Sequence, residues 1–238
     1  MKTKKKRYEV IFIDLDDTLY DFSTNSTNAY REVYTLMGYD QWFDSFEHYY
    51  SLYWQRNQQL WELYNNGTIT KEQLNAERYA YPLRVVGVSD ADAVGAHFWK
   101  EAMKRLPLGT LLMPHAREIL EYLRPRYKIY ILSNGFAELQ TLKMKSGGIE
   151  SFFDGVVLSE DIGVNKPHRA IFEHALRVAA TTPEKALMIG DNYEVDVKGA
   201  RGVGIDQVFY NTARITLTPE QWQPTHTIES LLELKGIL

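Results

Sequence analysis

The sequence predicts an α/β protein: a doubly wound parallel sheet, interrupted just after its first strand by an all-helical insert. Three observations predict it. From Met113 onward short apolar runs alternate with helical patterns, which implies crossover connections and a sheet covered on both faces. The first run, Val10 to Ile13, is unbroken Val-Ile-Phe-Ile, as in a strand buried on both sides. Between Tyr30 and Trp99 lie all but one of the tryptophans and most of the tyrosines, a compositional shift that marks a separate unit.

In chain order, the spacing predicts a helix over Ser23 to Met37, capped by Gly38. Trp42, Phe46, Tyr49, Tyr50, Tyr53 and Trp54 recur at helical spacing, and Leu60, Trp61 and Tyr64 continue them. Asn65-Asn66-Gly67 is a turn. Thr70 with Gln73 reads as a capping box for a helix over Leu74 to Tyr81, which Pro82 should stop. Ser89 is expected to cap a helix reaching Arg105. An aromatic stripe at this spacing is expected to form bundle core. Next come a helix opened by Pro114 and ending near Arg124, a strand Tyr127 to Leu132, and a helix Glu138 to Lys145. A short strand Val156 to Leu158, a helix His168 to Ala180 and a strand Ala186 to Ile189 follow. A helix Glu194 to Arg201, a strand Ile205 to Tyr210 and a terminal helix from about Ile228 complete the chain. The predicted division is a core of 1–19 and 109–238 and a helical module of 20–108.

Composition narrows the function classes. The chain has 238 residues, 45% hydrophobic and 24% charged, an ordinary globular balance. A net charge of −4 argues against nucleic-acid polymers and anionic membranes as partners. The one basic run, Lys2, Lys4, Lys5, Lys6 and Arg7, reads as a solvated terminus rather than a secretory signal. No window is apolar enough to span a bilayer, and a cytoplasmic location is expected. The absence of cysteine removes disulfides, thiolate metal sites and cysteine nucleophiles. The six histidines show no ligand spacing.

Chemistry concentrates where strands end. Val10 to Ile13 runs into Asp14, Asp16 and Asp17; Tyr127 to Leu132 into Ser133-Asn134-Gly135; Ala186 to Ile189 into Gly190-Asp191, with Asp196 a turn beyond. Open α/β sheets bind ligands at this carboxyl edge. Asp14 and Asp16, two residues apart, face the same way if extended geometry persists, and they repel unless a cation or a shared proton intervenes. Asp17 or Thr18 is also placed to cap the next helix. Hard oxygen donors without a histidine or cysteine cluster favour Mg²⁺. Ser133 and the amide beside it suit a phosphate oxygen, and Lys166 adds a point charge. A carboxylate nucleophile, an acid/base, a metal and an anion clamp together describe phosphoryl transfer.

Asp14-Leu15-Asp16-Asp17-Thr18, Ser133-Asn134-Gly135, Lys166-Pro167 and Gly190-Asp191 to Asp196 resemble, in order, the four motifs of the haloacid dehalogenase superfamily, whose core is Rossmann-like. The resemblance implies Asp14 as the nucleophile that forms an aspartyl-phosphate and Asp16 as the acid/base. It implies Mg²⁺ held by Asp14, Asp191 and the Asp16 carbonyl. Ser133, Asn134 and Lys166 would hold the phosphoryl group, Asp196 and Thr18 would support the site, and 20–108 would be a cap. An acid at Asp16 argues against true dehalogenation, which does without one and without metal. Phosphonate hydrolysis would need a cap lysine, and none of Lys71, Lys100 and Lys104 is marked out. Sugar-phosphate mutases share the core.

Leu19-Tyr20-Asp21-Phe22, Leu60-Trp61, Gly67-Thr68-Ile69-Thr70 with Arg78, and Ser133-Asn134-Gly135-Phe136 further resemble the branch that cleaves pyrimidine 5′-monophosphates. On that resemblance the partner is a small phosphorylated metabolite, a nucleotide. Phe22 or Phe136 would border the leaving group, and Arg78 would either reach the site or form a surface ion pair. Phosphatases of sugar or flavin phosphates, and a non-catalytic phosphate-binding module, are the alternatives. Oligomeric state is open.

Overall fold

The apolar runs assemble into a six-stranded, all-parallel sheet of order β3-β2-β1-β4-β5-β6 in a computed structural model that describes residues 8–238; the basic run at Lys2 to Arg7 lies outside them. In chain order the elements are β1 (Val10–Ile13), α1 (Phe22–Leu36), α2 (Phe46–Asn65), α3 (Lys71–Val85), α4 (Ala91–Arg105), α5 (Ala116–Leu123), β2 (Lys128–Ser133), α6 (Ala137–Ser146), β3 (Gly155–Leu158) and α7 (Arg169–Val178). They continue with β4 (Ala186–Gly190), a π-helical turn Tyr193–Val197 leading into α8 (Lys198–Arg201), β5 (Asp206–Tyr210), β6 (His226–Ile228) and α9 (Leu234–Ile237).

The chain divides into two compact units, one of Ser23–Gly109 and one of Thr110–Leu238 with the N-terminal stretch ending at Phe22. In the second unit the two-residue period of a strand sorts side chains to opposite faces. Ile11, Ile13, Ile129, Ile131, Leu187 and Ile189 pack with Ile119, Leu120 and Leu123 of α5. Val10, Phe12, Leu132 and Met188 pack with Ile171, Phe172 and Ala175 of α7. Each such fully buried side chain contributes about 1.5–3 kcal/mol, so the central strands form a stiff platform for whatever follows their last residues.

In the helical unit Tyr30, Tyr39, Tyr49, Tyr53, Tyr79 and Phe98 are buried, as expected of bundle core. The Tyr53 hydroxyl donates to Tyr30 at 3.0 Å, and the Tyr30 and Tyr79 hydroxyls lie 3.0 Å apart, so these rings bury their polar tips by pairing them. Thr70 and Gln73 form the expected capping box.

Several boundaries differ from expectation. The third helix does not stop at Pro82 but continues to Val85. Proline forfeits one hydrogen bond near the helix end, and tertiary packing outweighs that loss: a Cβ on Gly95 of α4 would stand 2.8 Å from the Ala80 amide nitrogen, so the two backbones meet closely there. Asp90, not Ser89, is the N-terminal flanking residue of α4, and it makes no side-chain cap. Pro114 does not open α5; His115, with φ 66°, turns the chain first. Ile228 ends the edge strand β6 rather than starting a helix, and Ser230 with Glu233 caps the turn that follows. Neither Asp17 nor Thr18 caps a helix, because α1 begins at Phe22. Among the described residues, no helix is long and apolar enough to cross a membrane.

Candidate active site

Asp14 follows β1 in the centre of the sheet, with β2 and β4 as its neighbours. Ile13 is in register with Ile131 and Ile189, so Asp14 stands level with Leu132 and Gly190, one step below Ser133. The three strands predicted to carry chemistry are thus adjacent, and their ends converge. β1 and β4 also flank the point where strand order reverses, the usual ligand crevice of such sheets.

Lys166 ties this edge together. Its Nζ donates to Asp14 Oδ1 at 2.6 Å, Asp196 Oδ1 at 2.7 Å and the Leu132 carbonyl at 2.7 Å, which uses all three ammonium hydrogens. The side chain is fully buried. Burial works to lower its pKa, but Asp14 and Asp196 outweigh it and hold the ammonium above its ordinary value. The Asn134 amide places Lys166: Nδ2 donates to the Lys166 carbonyl at 2.8 Å and Oδ1 accepts from the Lys166 N–H at 2.7 Å. The side chain of Asn134 is therefore engaged with Lys166.

Asp196 reaches the site by way of the π-helical turn, in which the N–H groups of Asp196 and Val197 both approach the Asn192 carbonyl. Such widened turns recur at functional sites. Gly190 leaves it room, since a Cβ there would collide with the Asp196 carboxylate. Thr18 holds Asp191: its hydroxyl donates to Asp191 Oδ1 at 2.9 Å and accepts from the Asp191 N–H at 3.1 Å.

Carboxylate oxygens of Asp14, Asp191 and Asp196 lie within 4.8 Å of one another. Three carboxylates against one ammonium leave two surplus negative charges, which a divalent cation would cancel. Burial, opposed by Lys166 and reinforced by Asp196, Asp191 and Asp16, holds the Asp14 pKa well above the carboxylate range. Burial first, then repulsion from Asp196, pushes Asp191 up to about 7. The donor set is hard oxygen only, so the residues fit Mg²⁺, for which Asp14 and Asp191 are the first candidates.

The folded state keeps a proton on Asp191 up to about pH 7, while the unfolded chain releases it near 4. Between those values the folded state binds more protons, so stability falls as pH rises. Without Mg²⁺ the Tm should drop from pH 5 to pH 8, and Mg²⁺ should raise it most at pH 8. A Tm that climbs over that interval in EDTA would contradict the charge surplus.

Asp14 and Asp16 do not share one partner. The chain leaves the strand after Ile13, and Asp17 takes a left-handed conformation at φ 58°, which aspartate tolerates better than most residues. The Asp16 carboxylate instead meets α6. Lys143 Nζ lies 2.8 and 3.0 Å from its two oxygens, and Gln140 Nε2 lies 3.0 Å from Oδ2. Any share of Asp16 in holding a cation is therefore left to its main chain. The face of the Phe22 ring receives the Lys143 ammonium at 4.1 Å. Phe136 is buried and precedes the first residue of α6.

Arg78 is not at the surface. It is buried in the helical unit over the rings of Tyr79 and Trp99 and donates to Asn57 and Asn75, which corrects the surface ion pair. Gln140 and Lys143 were not singled out from sequence. A signal was present: the buried positions of α6 are Leu139, Gln140, Lys143 and Met144, a core-facing stripe in which two polar residues stand where apolar ones would be expected.

The family model of haloacid dehalogenase-like hydrolases matches residues 8–204. Pyrimidine 5′-nucleotidase YjjG of Escherichia coli (strain K12) is 31% identical over 98% of both chains. Pyrimidine 5′-nucleotidase PynA of Streptococcus pneumoniae is 27% identical over 97% of this chain and 95% of that one. The crystal structure of the HAD-hydrolase YfnB from Bacillus subtilis, solved bound to magnesium, superposes with a TM-score of 0.86 at 27% identity, covering 98% of this chain and 99% of that one. With its sheet order, its strand-end acids and its buried lysine, the chain belongs to the haloacid dehalogenase-like hydrolase family.

Proposed function

We propose that this hydrolase cleaves phosphate monoesters through an aspartyl-phosphate on Asp14, with Mg²⁺ as cofactor and nucleoside 5′-monophosphates as substrates. The observation that carries the reading is the buried Asp14 carboxylate at the centre of the sheet edge, held by Lys166 and faced by Asp191 and Asp196. One Asp14 oxygen is fixed on the ammonium, which leaves the carboxylate oriented for attack. Mg²⁺, when bound, would offset the surplus carboxylate charge that otherwise repels a phosphate dianion. Ser133 would donate its hydroxyl to a phosphoryl oxygen. Asp16 would give a proton to the leaving oxygen and then take one from the water that hydrolyses the intermediate. Lys166, with its three hydrogens engaged, would act on the phosphoryl group through its field and by fixing Asp14.

The nucleotide preference is supported by the two nucleotidase relatives and by the stretches around Tyr20, Thr68 and Phe136 that resemble the branch cleaving pyrimidine 5′-monophosphates. We further propose that the helical module, 20–108 on the sequence reading, is the cap of this enzyme. The test is a panel of nucleoside monophosphates, sugar phosphates and flavin mononucleotide compared by kcat/KM, with Mg²⁺ and with EDTA. Pyrimidine 5′-monophosphates should rank first, and EDTA should remove activity. Sugar phosphates ranking above nucleotides would overturn the substrate; turnover that survives EDTA would overturn the cofactor. No turnover on any ester would favour a phosphate-binding module.

A further inference from the structure

Two buried polar side chains on α6 are unused by the chemistry above. Gln140 is fully buried, and its Nε2 donates both to Asp16 Oδ2 at 3.0 Å and to Ser133 Oγ at 2.7 Å. Lys143, one turn on, closes on both Asp16 oxygens while its ammonium rests on the Phe22 ring. The Gln140 amide turns Nε2 toward the Asp16 carboxylate, which its carbonyl would repel, and Oε1 is buried with no hydrogen-bond partner. Ser133 Oγ also accepts from the Gly135 N–H at 3.0 Å. A hydroxyl has two lone pairs, and here two donors occupy them. The Ser133 hydrogen is thereby committed to pointing away, as a donor to a third group.

Gly135 is part of the same device. A Cβ at that position would overlap the Gln140 amide, so glycine is what lets Gln140 reach across to Ser133 and Asp16. The arrangement costs burial of a lysine and an amide in a helix that could have been apolar, which argues for a role beyond packing.

We propose that Gln140 and Lys143 are positioning residues: Gln140 fixes the Ser133 hydroxyl as a phosphate donor, and the two together aim the Asp16 carboxyl at the leaving oxygen. The inference deepens the phosphatase reading and rests on it. In the step concerned, an Asp14 oxygen bonds to phosphorus and the ester P–O bond breaks. Its electron pair stays on the leaving oxygen, which takes the Asp16 proton. An alkoxide needs that proton; p-nitrophenolate departs without it. Loss of Lys143, whose ammonium is hydrogen-bonded to Asp16 and not to Ser133, should therefore depend on the leaving group. Loss of Gln140, which also touches Ser133, should weaken phosphate binding whatever the leaving group.

The experiment compares kcat/KM for p-nitrophenyl phosphate with that for two alkyl phosphates, uridine 5′-monophosphate and glycerol phosphate, together with inhibition by inorganic phosphate. Lys143→Met should lower kcat/KM for the alkyl esters about 10²-fold, the usual size of a general-acid contribution, and for the aryl ester by less than about fivefold. Lys143→Arg should recover most of the difference. Gln140→Met should raise KM for all three esters and the inhibition constant of phosphate about tenfold, as for one lost hydrogen bond. Gly135→Ala, which displaces only the flexible end of Gln140, should match it, and the double variant should be no worse than either single one. Equal losses on aryl and alkyl esters in Lys143→Met, or additive effects of Gly135→Ala and Gln140→Met, would overturn the inference while leaving the phosphatase reading intact. A wild-type protein inactive on every ester sinks both.

Discussion

Asp14→Asn is expected to lower kcat/KM for every phosphate ester by about 10⁴-fold or more, the scale seen when a nucleophile is removed, while the protein stays folded. Asparagine keeps the shape and one acceptor oxygen, so Lys166 retains a partner at 14 as well as Asp196 and the Leu132 carbonyl. What is lost is the second carboxylate oxygen and the charge that makes it nucleophilic. Stability should not fall with activity. Burial opposes ionisation of Asp14, and three other aspartates add to that opposition. Removing the charge from the metal-free protein should leave the Tm unchanged or raise it. Thermal melts in EDTA beside single-turnover assays for a phosphoenzyme separate the two effects. Substantial turnover by Asp14→Asn would refute the covalent mechanism.

How much of this was legible in sequence depends on which force set each feature. The buried strands were, because Val-Ile-Phe-Ile and Ala-Leu-Met-Ile are runs that only a doubly covered sheet can bury. The order of motifs brought Asp14, Ser133, Lys166, Asp191 and Asp196 to one edge, since each follows a strand or precedes a helix of a parallel sheet. Boundaries decided by packing were not legible: α3 runs through Pro82 because of how α4 meets it at Gly95. Nor were partners chosen across long sequence distances. Thr18 reads as a cap from its neighbours, yet its hydroxyl is engaged by Asp191. Lys143 does not stand out from its sequence neighbours, yet it is buried on Asp16. Those pairings exist only once β1, β4 and α6 are folded against each other.

The largest stability effect should come from Lys166→Met. The ammonium is buried between Asp14 and Asp196, and removing one partner of a buried ion pair costs about 3–5 kcal/mol because the remaining charge is left without compensation. For a chain of this size that is a Tm lower by roughly 10 °C. Methionine has nearly the volume of lysine, so lost packing accounts for little of it. The sign of the pH dependence separates charge from packing. In the wild type Lys166 is held above its ordinary value, so its contribution is fully present at neutral pH and fades only as pH rises through that raised value. In the variant the deficit should be large at high pH, where a charged Asp14 has lost its ammonium, and should shrink as pH falls and Asp14 takes up the proton that burial favours. Mg²⁺ should restore part of it at pH 8 by binding the folded state. A deficit that persists unchanged at pH 4 would instead mean that Lys166 serves the core by volume alone.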